Sequence, residues 1–360
     1  MAKHQVFIVH GMGGFDKDWS LDAQKTLNDA FAQYPLVKQF GLTNQFEFVE
    51  IVYNHIFDEI RAQWQANATA ASTALVATGL AETAANRLVE LANGATGDDF
   101  WRTHALDVVL YRFMKPISER ITQWVRLQIL ARLKAFPEND VPSWSVLGHS
   151  LGTAVVNDTL HAMFSQAVDG ALLGDRFKPD FVFMVANVAK LLWNRGGDFY
   201  SSKVRPHTVD ALGVCWRYCN FNHELDPFPL VDAFKPPLHW FPEGLSPDQR
   251  DTFYANVSIG AADVRDINVH GLNHYLSHPA VNSVLINTLV GFEAVRPKDV
   301  SAALTNWRAR KLSAGALTLA KGKLRALAGA RAQNWLEIIE MLVTLRGLVL
   351  KESTLAEGED

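Results

Sequence analysis

The chain has 360 residues, a formal net charge of -4, 48% hydrophobic and 20% charged residues. That much apolar surface offsets the entropy of ordering, which excludes a collagen-like, low-complexity or disordered chain. A charge this close to neutral gives no global attraction to nucleic acid. The two cysteines, Cys215 and Cys219, cannot build a disulfide framework. Four residues apart on a strand, their Cα atoms would lie roughly 13 Å apart, too far to bridge. They read as two small buried hydrophobes, which suits a reducing compartment. At about 150 residues per domain the length allows one enlarged domain or two.

The first apolar run, Val6–Val9, is far too short for a signal-peptide core and reads as a buried strand. Gly11, Gly13 and Gly14 form a loop, Trp19–Phe31 is compatible with a helix, and Phe46–Tyr53 is a second strand. About 90 residues of helical period follow. Leu106, Val109, Leu110, Phe113, Ile117 and Ile121 recur at spacings of three and four, and Pro137 and Pro142 close the region. The charge-free run between Arg61 and Glu82 carries too many Gln, Asn, Thr and Ser residues to span a bilayer. The chain is therefore expected to be soluble and cytoplasmic; export without a signal peptide stays open.

Ser143–Leu147 reads as a strand, Thr153–Phe164 as a helix, and Phe181–Ala186, Val214–Phe221 and Val264–Val269 as the remaining strands. Helical patterns run from about Pro279 to Leu350, ahead of an acidic tail. Strands separated by helices predict an α/β fold with a mostly parallel sheet.

Gly148-His149-Ser150-Leu151-Gly152 fits G-x-S-x-G. A serine on a sharp strand-to-helix turn is held with its Oγ above the sheet, and the flanking Gly148 and Gly152 let the chain turn without Cβ clashes. The Leu151 amide then stands at a helix start, where unsatisfied N–H groups can face a developing oxyanion. His10-Gly11-Met12-Gly13-Gly14 follows the first strand directly. Such a loop offers a second oxyanion donor, the Met12 amide, while His10 and Gly11 shape the loop. A phosphate-binding loop is disfavoured, because neither G-x-G-x-x-G nor a following G-K-[ST] is present.

With an HGxGG loop and a GHSLG turn, the sequence resembles the α/β-hydrolase family, in particular its small serine esterases and lipases. The resemblance covers roughly residues 4–290, with residues 55–140 poorly matched. It implies a nucleophile, an acid and a histidine in that chain order, and no cofactor. Ser150 is the implied nucleophile. The implied acid is Asp226, just past a strand and followed by Pro227, with Glu224 as its rival and Asp198 and Asp210 weaker. Asp-Pro is also common turn chemistry, so Asp226 could simply cap a turn. The implied base lies among His270, His274 and His278. His274, followed by Tyr275, matches the family position best; His278 is the runner-up, and His270 is placed at a strand end. The spacing of the three also suggests a metal site, but Gly271 and Pro279 break any common helix and no ligand carboxylate is evident. Only nine residues precede His10, so a reduced sheet of about six strands is implied.

Residues 1–295 are thus expected to form the catalytic domain, with a helical insertion over about 55–140. Its Ala/Thr-rich part, Ala66–Ala85, with Trp64 and Trp101, is either a lid or a structural layer. Residues 296–360 form a helical extension. Arg308, Arg310, Lys311, Lys321, Lys323, Arg325 and Arg331 make it basic, while Gly315, Gly322 and Gly329 weaken a continuous helix. It is read as a helix pair packed on the core or on a second copy, with contact to an anionic membrane surface as the alternative. The expected activity is hydrolysis of apolar acyl esters by a serine esterase. A lipase or phospholipase, an effector among them, acting at a membrane surface, a thioesterase or acyltransferase, and a non-catalytic binding protein on the same scaffold are the alternatives. The expected partner is a small-molecule or lipid ester, not a nucleic acid.

Overall fold

The computed structural model describes residues 3–309 apart from 40, 67, 94–99, 138–139, 166–172, 208–212, 242, 266–267 and 292, together with 322, 325, 326 and 337. Six runs form strands: β1 His4–Val9, β2 Phe46–Ile51, β3 Trp144–His149, β4 Phe181–Val185, β5 Arg217–His223 and β6 Tyr254–Ile259. They make one all-parallel sheet in the order β2-β1-β3-β4-β5-β6. This is the α/β architecture that the alternation of elements predicts, with the six strands that the resemblance implies. Parallel strands are buried on both faces, and β1 divides accordingly. Phe7 and Val9 enter one hydrophobic core, Val6 and Ile8 the other.

The helices are α1 Leu21–Gln33, α2 Pro35–Lys38, α3 Leu42–Gln45, α4 Asn54–Ala66, α5 Ala68–Ala77, α6 Glu82–Asn93, α7 Phe100–Phe113, α8 Lys115–Leu133, α9 Leu151–Ser165, α10 Pro227–Val231, α11 Pro247–Arg250, α12 Leu272–Ser277, α13 Pro279–Val290 and α14 Pro297–Ala309. The start of α1 is held from β2. The Glu50 carboxylate accepts the Ser20 N–H (2.7 Å), the Ser20 hydroxyl (2.7 Å) and the Asp18 N–H (2.8 Å), placing an anion at the positive end of the helix.

One strand differs from expectation. The described residues of the expected strand Val264–Val269 are not part of the sheet; among the described residues the last strand is β6. This edge strand pairs only with β5 and alternates buried Ala255 and Ile259 with more exposed positions. Its mixed polarity makes it less conspicuous than the apolar valines downstream. Val264 and Val269 are fully buried, but they fill the core from irregular chain.

The helices between β2 and β3 are largely part of the core. Val109, Leu110 and Tyr111 of α7, with Ile121, Val125 and Ile129 of α8, are buried in the same cluster as one sheet face. The Tyr111 hydroxyl donates to Asp158 Oδ2 of α9 (2.8 Å), while Arg195 Nε approaches Asp158 Oδ1 (3.3 Å). Arg61 pairs with the buried Asp107. The side chains of Trp64 and Trp101 lie outside the described residues, as does nearly all of the basic segment after Ala309. Among the described residues, no helix is long and apolar enough to cross a membrane.

The chain runs from β1 outward to β2, then returns past β1 to β3. The loops that leave the C-terminal ends of β1 and β3 therefore diverge, and a crevice opens between them, as expected where strand order reverses. The first turn of α9 still crosses very close to β1. A Cβ on Gly152 would lie 2.3 Å from the His10 carbonyl oxygen and 2.4 Å from that of Val9. Both obstacles are backbone. Gly152→Ala is expected to cost about 3 kcal/mol or more in denaturant unfolding, whereas Gly14→Ala, with open space around its Cβ, should leave the midpoint nearly unchanged.

Candidate functional site

Ser150 stands at the turn between β3 and α9 with φ +54°, a conformation rare for a non-glycine residue and typical of strained functional positions. The turn is held from several sides. The Ser150 N–H donates to the Val185 carbonyl (2.9 Å). The Ser150 carbonyl accepts from the Thr153 N–H (2.9 Å) and hydroxyl (2.7 Å). The Thr153 hydroxyl also accepts the Val188 N–H (3.0 Å), which ties the turn to the chain after β4. Gly148 allows the close crossing: its Cβ would lie 2.9 Å from the Gly152 carbonyl oxygen.

The loop after β1 lies against this turn. A Cβ on Gly11 would come within 2.9 Å of Ser150 Cβ. His10 is held by its surroundings rather than presented to the crevice. Its Nδ1–H donates to the Gly11 carbonyl (2.8 Å), and its Nε2 accepts the Tyr53 N–H (3.3 Å). The Tyr53 ring stacks on it at 4.1 Å, and the Tyr53 hydroxyl donates to the His10 carbonyl (2.7 Å). Met12 of this loop and Leu151 line the same small slot beside Ser150.

Asp226 lies past the end of β5 and is fully buried. Its two carboxylate oxygens have different partners. Oδ1 accepts the Phe228 N–H (3.3 Å) and so caps α10. Oδ2 accepts from His270 Nδ1 (2.8 Å) and from the Tyr275 hydroxyl (2.9 Å). The turn cap and the histidine partner are therefore the same residue. Because a carboxylate only accepts, the proton sits on His270 Nδ1. Nε2 is then free to accept the Ser150 Oγ–H, at 2.7 Å.

The histidine on Ser150 is thus His270, not His274 or His278. The turn Asn268–Gly271, closed by the Gly271 N–H on the Asn268 carbonyl (2.9 Å), brings residue 270 over the sheet edge just before α12 begins. His274 lies one turn into α12, with its ring 5.3 Å from His223 and 6.1 Å from Trp307. His278 caps α13, its Nδ1 accepting the Ala280 N–H (3.2 Å). Glu224 has a different task from Asp226: its carboxylate accepts the Ala261 N–H (2.8 Å), bracing the loop after β6. Asp198 caps the short turn Phe199–Ser201, and Asp210 lies outside the described residues. One sequence signal does point to His270. With the last strand placed on the alternating segment Tyr254–Ile259, it is the first histidine of the loop that follows.

Two supporting residues escaped the sequence reading. Tyr275 adds a second donor to Asp226 Oδ2. His149, inside the GHSLG turn, donates from Nε2 to the His270 carbonyl (2.7 Å). Burial, and then the neighbouring His270 ring, push its pKa down to about 3, so it is a neutral tether. Phe228 meets the His270 ring edge-on at 4.9 Å.

Among the described residues, Ser150 lines two spaces. The larger cavity, about 370 Å³, is walled by Gly11, Phe15, Trp19, Asp22 and the His270–His274 segment. The smaller is an apolar slot of about 20 Å³ lined by Val108, Leu151, Val188, Leu191, Leu192 and Phe228. Among the described residues, no group of three or more His, Cys, Asp or Glu side chains is arranged to hold a metal ion. No protein-family model matches the chain, and neither a curated protein nor a solved structure matches it significantly.

Two measurements follow from this geometry. A low-field proton resonance from His270 Nδ1–H is expected in the wild type and in His274→Ala, and should vanish in Asp226→Ala. The second concerns acid stability. Burial, with His274 nearby, lowers the His223 pKa to about 3; burial also lowers that of His278 to about 4, against 6.5 for an ordinary histidine. The unfolded chain therefore binds more protons than the folded one between pH 6.5 and about 4. Stability should be complete above that window and fall on acidification through it, by up to about 1.4 kcal/mol per pH unit per histidine. His278→Asn keeps a cap acceptor but removes one titration; the pH dependence of its melting temperature should be shallower in this window.

Proposed function

We propose that the protein is a serine hydrolase of carboxylic esters, built as a reduced α/β-hydrolase domain. The observation that carries this reading is the buried hydrogen-bonded chain Asp226–His270–Ser150, with the serine at positive φ against a glycine-rich loop. His270 Nε2 takes the Ser150 proton as Oγ attacks the ester carbonyl. Asp226 keeps the ring in the required tautomer and stabilises the imidazolium. The Met12 and Leu151 amides hold the tetrahedral oxyanion. His270 then protonates the leaving alcohol, and water releases the acyl group with the roles reversed.

The leaving group must reach His270, so it belongs in the larger cavity, whose wall includes that ring. The acyl group belongs in the slot, which His270 does not line. The slot is the smaller of the two spaces and is lined almost wholly by apolar side chains, which favours a short acyl chain over the long chains of a lipase substrate. Val108 of α7 forms part of that slot, so the insertion bears on acyl selection as a fixed wall.

Fluorophosphonate labelling and hydrolysis of chromogenic acetate, butyrate and octanoate esters test the reading. Ser150→Ala is expected to abolish both labelling and hydrolysis. His270→Ala should lower kcat by about 10²–10⁴-fold, and His274→Ala should cost far less. Rates should fall with chain length. Absence of labelling in the wild type, or equal labelling in Ser150→Ala, would overturn the proposal.

A further inference from the structure

The larger cavity has a composition that the hydrolytic chemistry does not require. Phe15 and Trp19 stand in its wall with their rings 5.2 Å apart, edge to face. Phe15 in turn lies on His10 at 4.4 Å, and Trp19 meets His10 edge-on at 5.5 Å. The aromatic pair is therefore backed by the His10–Tyr53 stack and does not swing freely. Asp22, in the first turn of α1, completes this side.

Asp22 is not engaged elsewhere. The positive end of α1 is met by Glu50, which accepts from Asp18 and Ser20. Among the described residues the Asp22 carboxylate forms no ion pair. Among the described residues the cavity wall contains no Lys or Arg; its other polar groups there are Ser150, Asn268, Asn273 and three histidines, one of which, His149, is held neutral. An anionic ligand would meet an unopposed carboxylate beside two electron-rich aromatic rings. A cation would find both favourable.

We infer that this cavity is a leaving-group subsite for an organic cation, and that the substrate is a short-chain ester of an ammonium-bearing alcohol. The inference rests on the hydrolase reading above. Asp22 supplies the countercharge, and Phe15 and Trp19 supply aromatic faces that suit a weakly hydrated alkylammonium group. Water cleaves the acyl–oxygen bond through the acyl-Ser150 intermediate. The products are the carboxylic acid and the amino alcohol, whose oxygen receives its proton from His270.

The test compares two acetate esters of the same shape on the full-length protein: choline acetate and its neutral carbon isostere, 3,3-dimethylbutyl acetate. The cationic ester should have about tenfold higher kcat/KM, and this ratio should shrink with added salt. Asp22→Asn should lower the ratio about threefold to fivefold. Asp22 is exposed, so the variant is expected to fold. In parallel, tetramethylammonium should slow fluorophosphonate labelling of the wild type, and slow it less in Asp22→Asn. A ratio near one, a ratio unaltered by Asp22→Asn, or labelling indifferent to tetramethylammonium would overturn the subsite. If Ser150 labels and the neutral ester is cleaved, any of these results removes the subsite alone. If Ser150 does not label, the hydrolase reading falls with it.

Discussion

The structure depends on one close approach: the first turn of α9 against the end of β1. Gly152 lies where any side chain would strike the Val9 and His10 carbonyls, and Gly11 lies where one would strike Ser150. Those contacts put the loop after β1 and the serine turn on either side of a single point. The strand order makes this possible, because β1 and β3 are neighbours whose following loops diverge. The Tyr53–His10 stack and the Thr153 hydroxyl then hold the two sides from behind. A serine with φ +54° persists only where its surroundings leave no alternative.

The third element of the site comes from a distant part of the chain, and its placement is overdetermined. His270 is fixed at both ring nitrogens by Asp226 and Ser150, at its carbonyl by His149, and along its edge by Phe228. Asp226 in turn is fixed by capping α10 and by Tyr275 from α12. Asp226, Ser150 and His149, which hold the histidine by hydrogen bonds, each also end or begin a secondary-structure element. The local turn chemistry and the site geometry are therefore the same interactions. Behind this layer, His223 and His278 are buried and neutral, so a site that handles a proton at its surface has a base sensitive to acid.

The two spaces that meet at Ser150 differ in the way an ester's two halves differ. The slot is small and apolar, shaped by the insertion helix and by residues following β4 and β5. The cavity is larger, with an aromatic pair and a carboxylate on one side and the His270 loop on the other. In the proposed ester hydrolysis a leaving group must approach the proton donor and an acyl group need not, and on that reading the position of His270 distinguishes the two spaces. That asymmetry supports the proposed short acyl group, and the aromatic pair with Asp22 supports the proposed cationic leaving group.

Much of this was legible in the sequence. Short apolar strands separated by helices sufficed for the α/β sheet, since period and element order are local properties of the chain. The serine turn and the loop after β1 were equally visible, because tight turns demand glycine at set spacings. Asp226, past a strand and before a proline, is the acid that the resemblance implied, and it lies against His270 Nδ1. The histidine could not: three candidates lie within nine residues, and only the path of the loop after β6 decides which one crosses the sheet edge. The apolar valines at 264 and 269 resembled a strand because burial, not sheet pairing, selects such residues; here they plug the core from irregular chain. Tyr275 and His149 left no such signal. Their roles arise from contacts between segments far apart in sequence, and such contacts leave no periodic trace. Sequence by itself determined which local turns and strands form; the tertiary structure decided which side chains meet, because that depends on the packing of distant elements around the crevice.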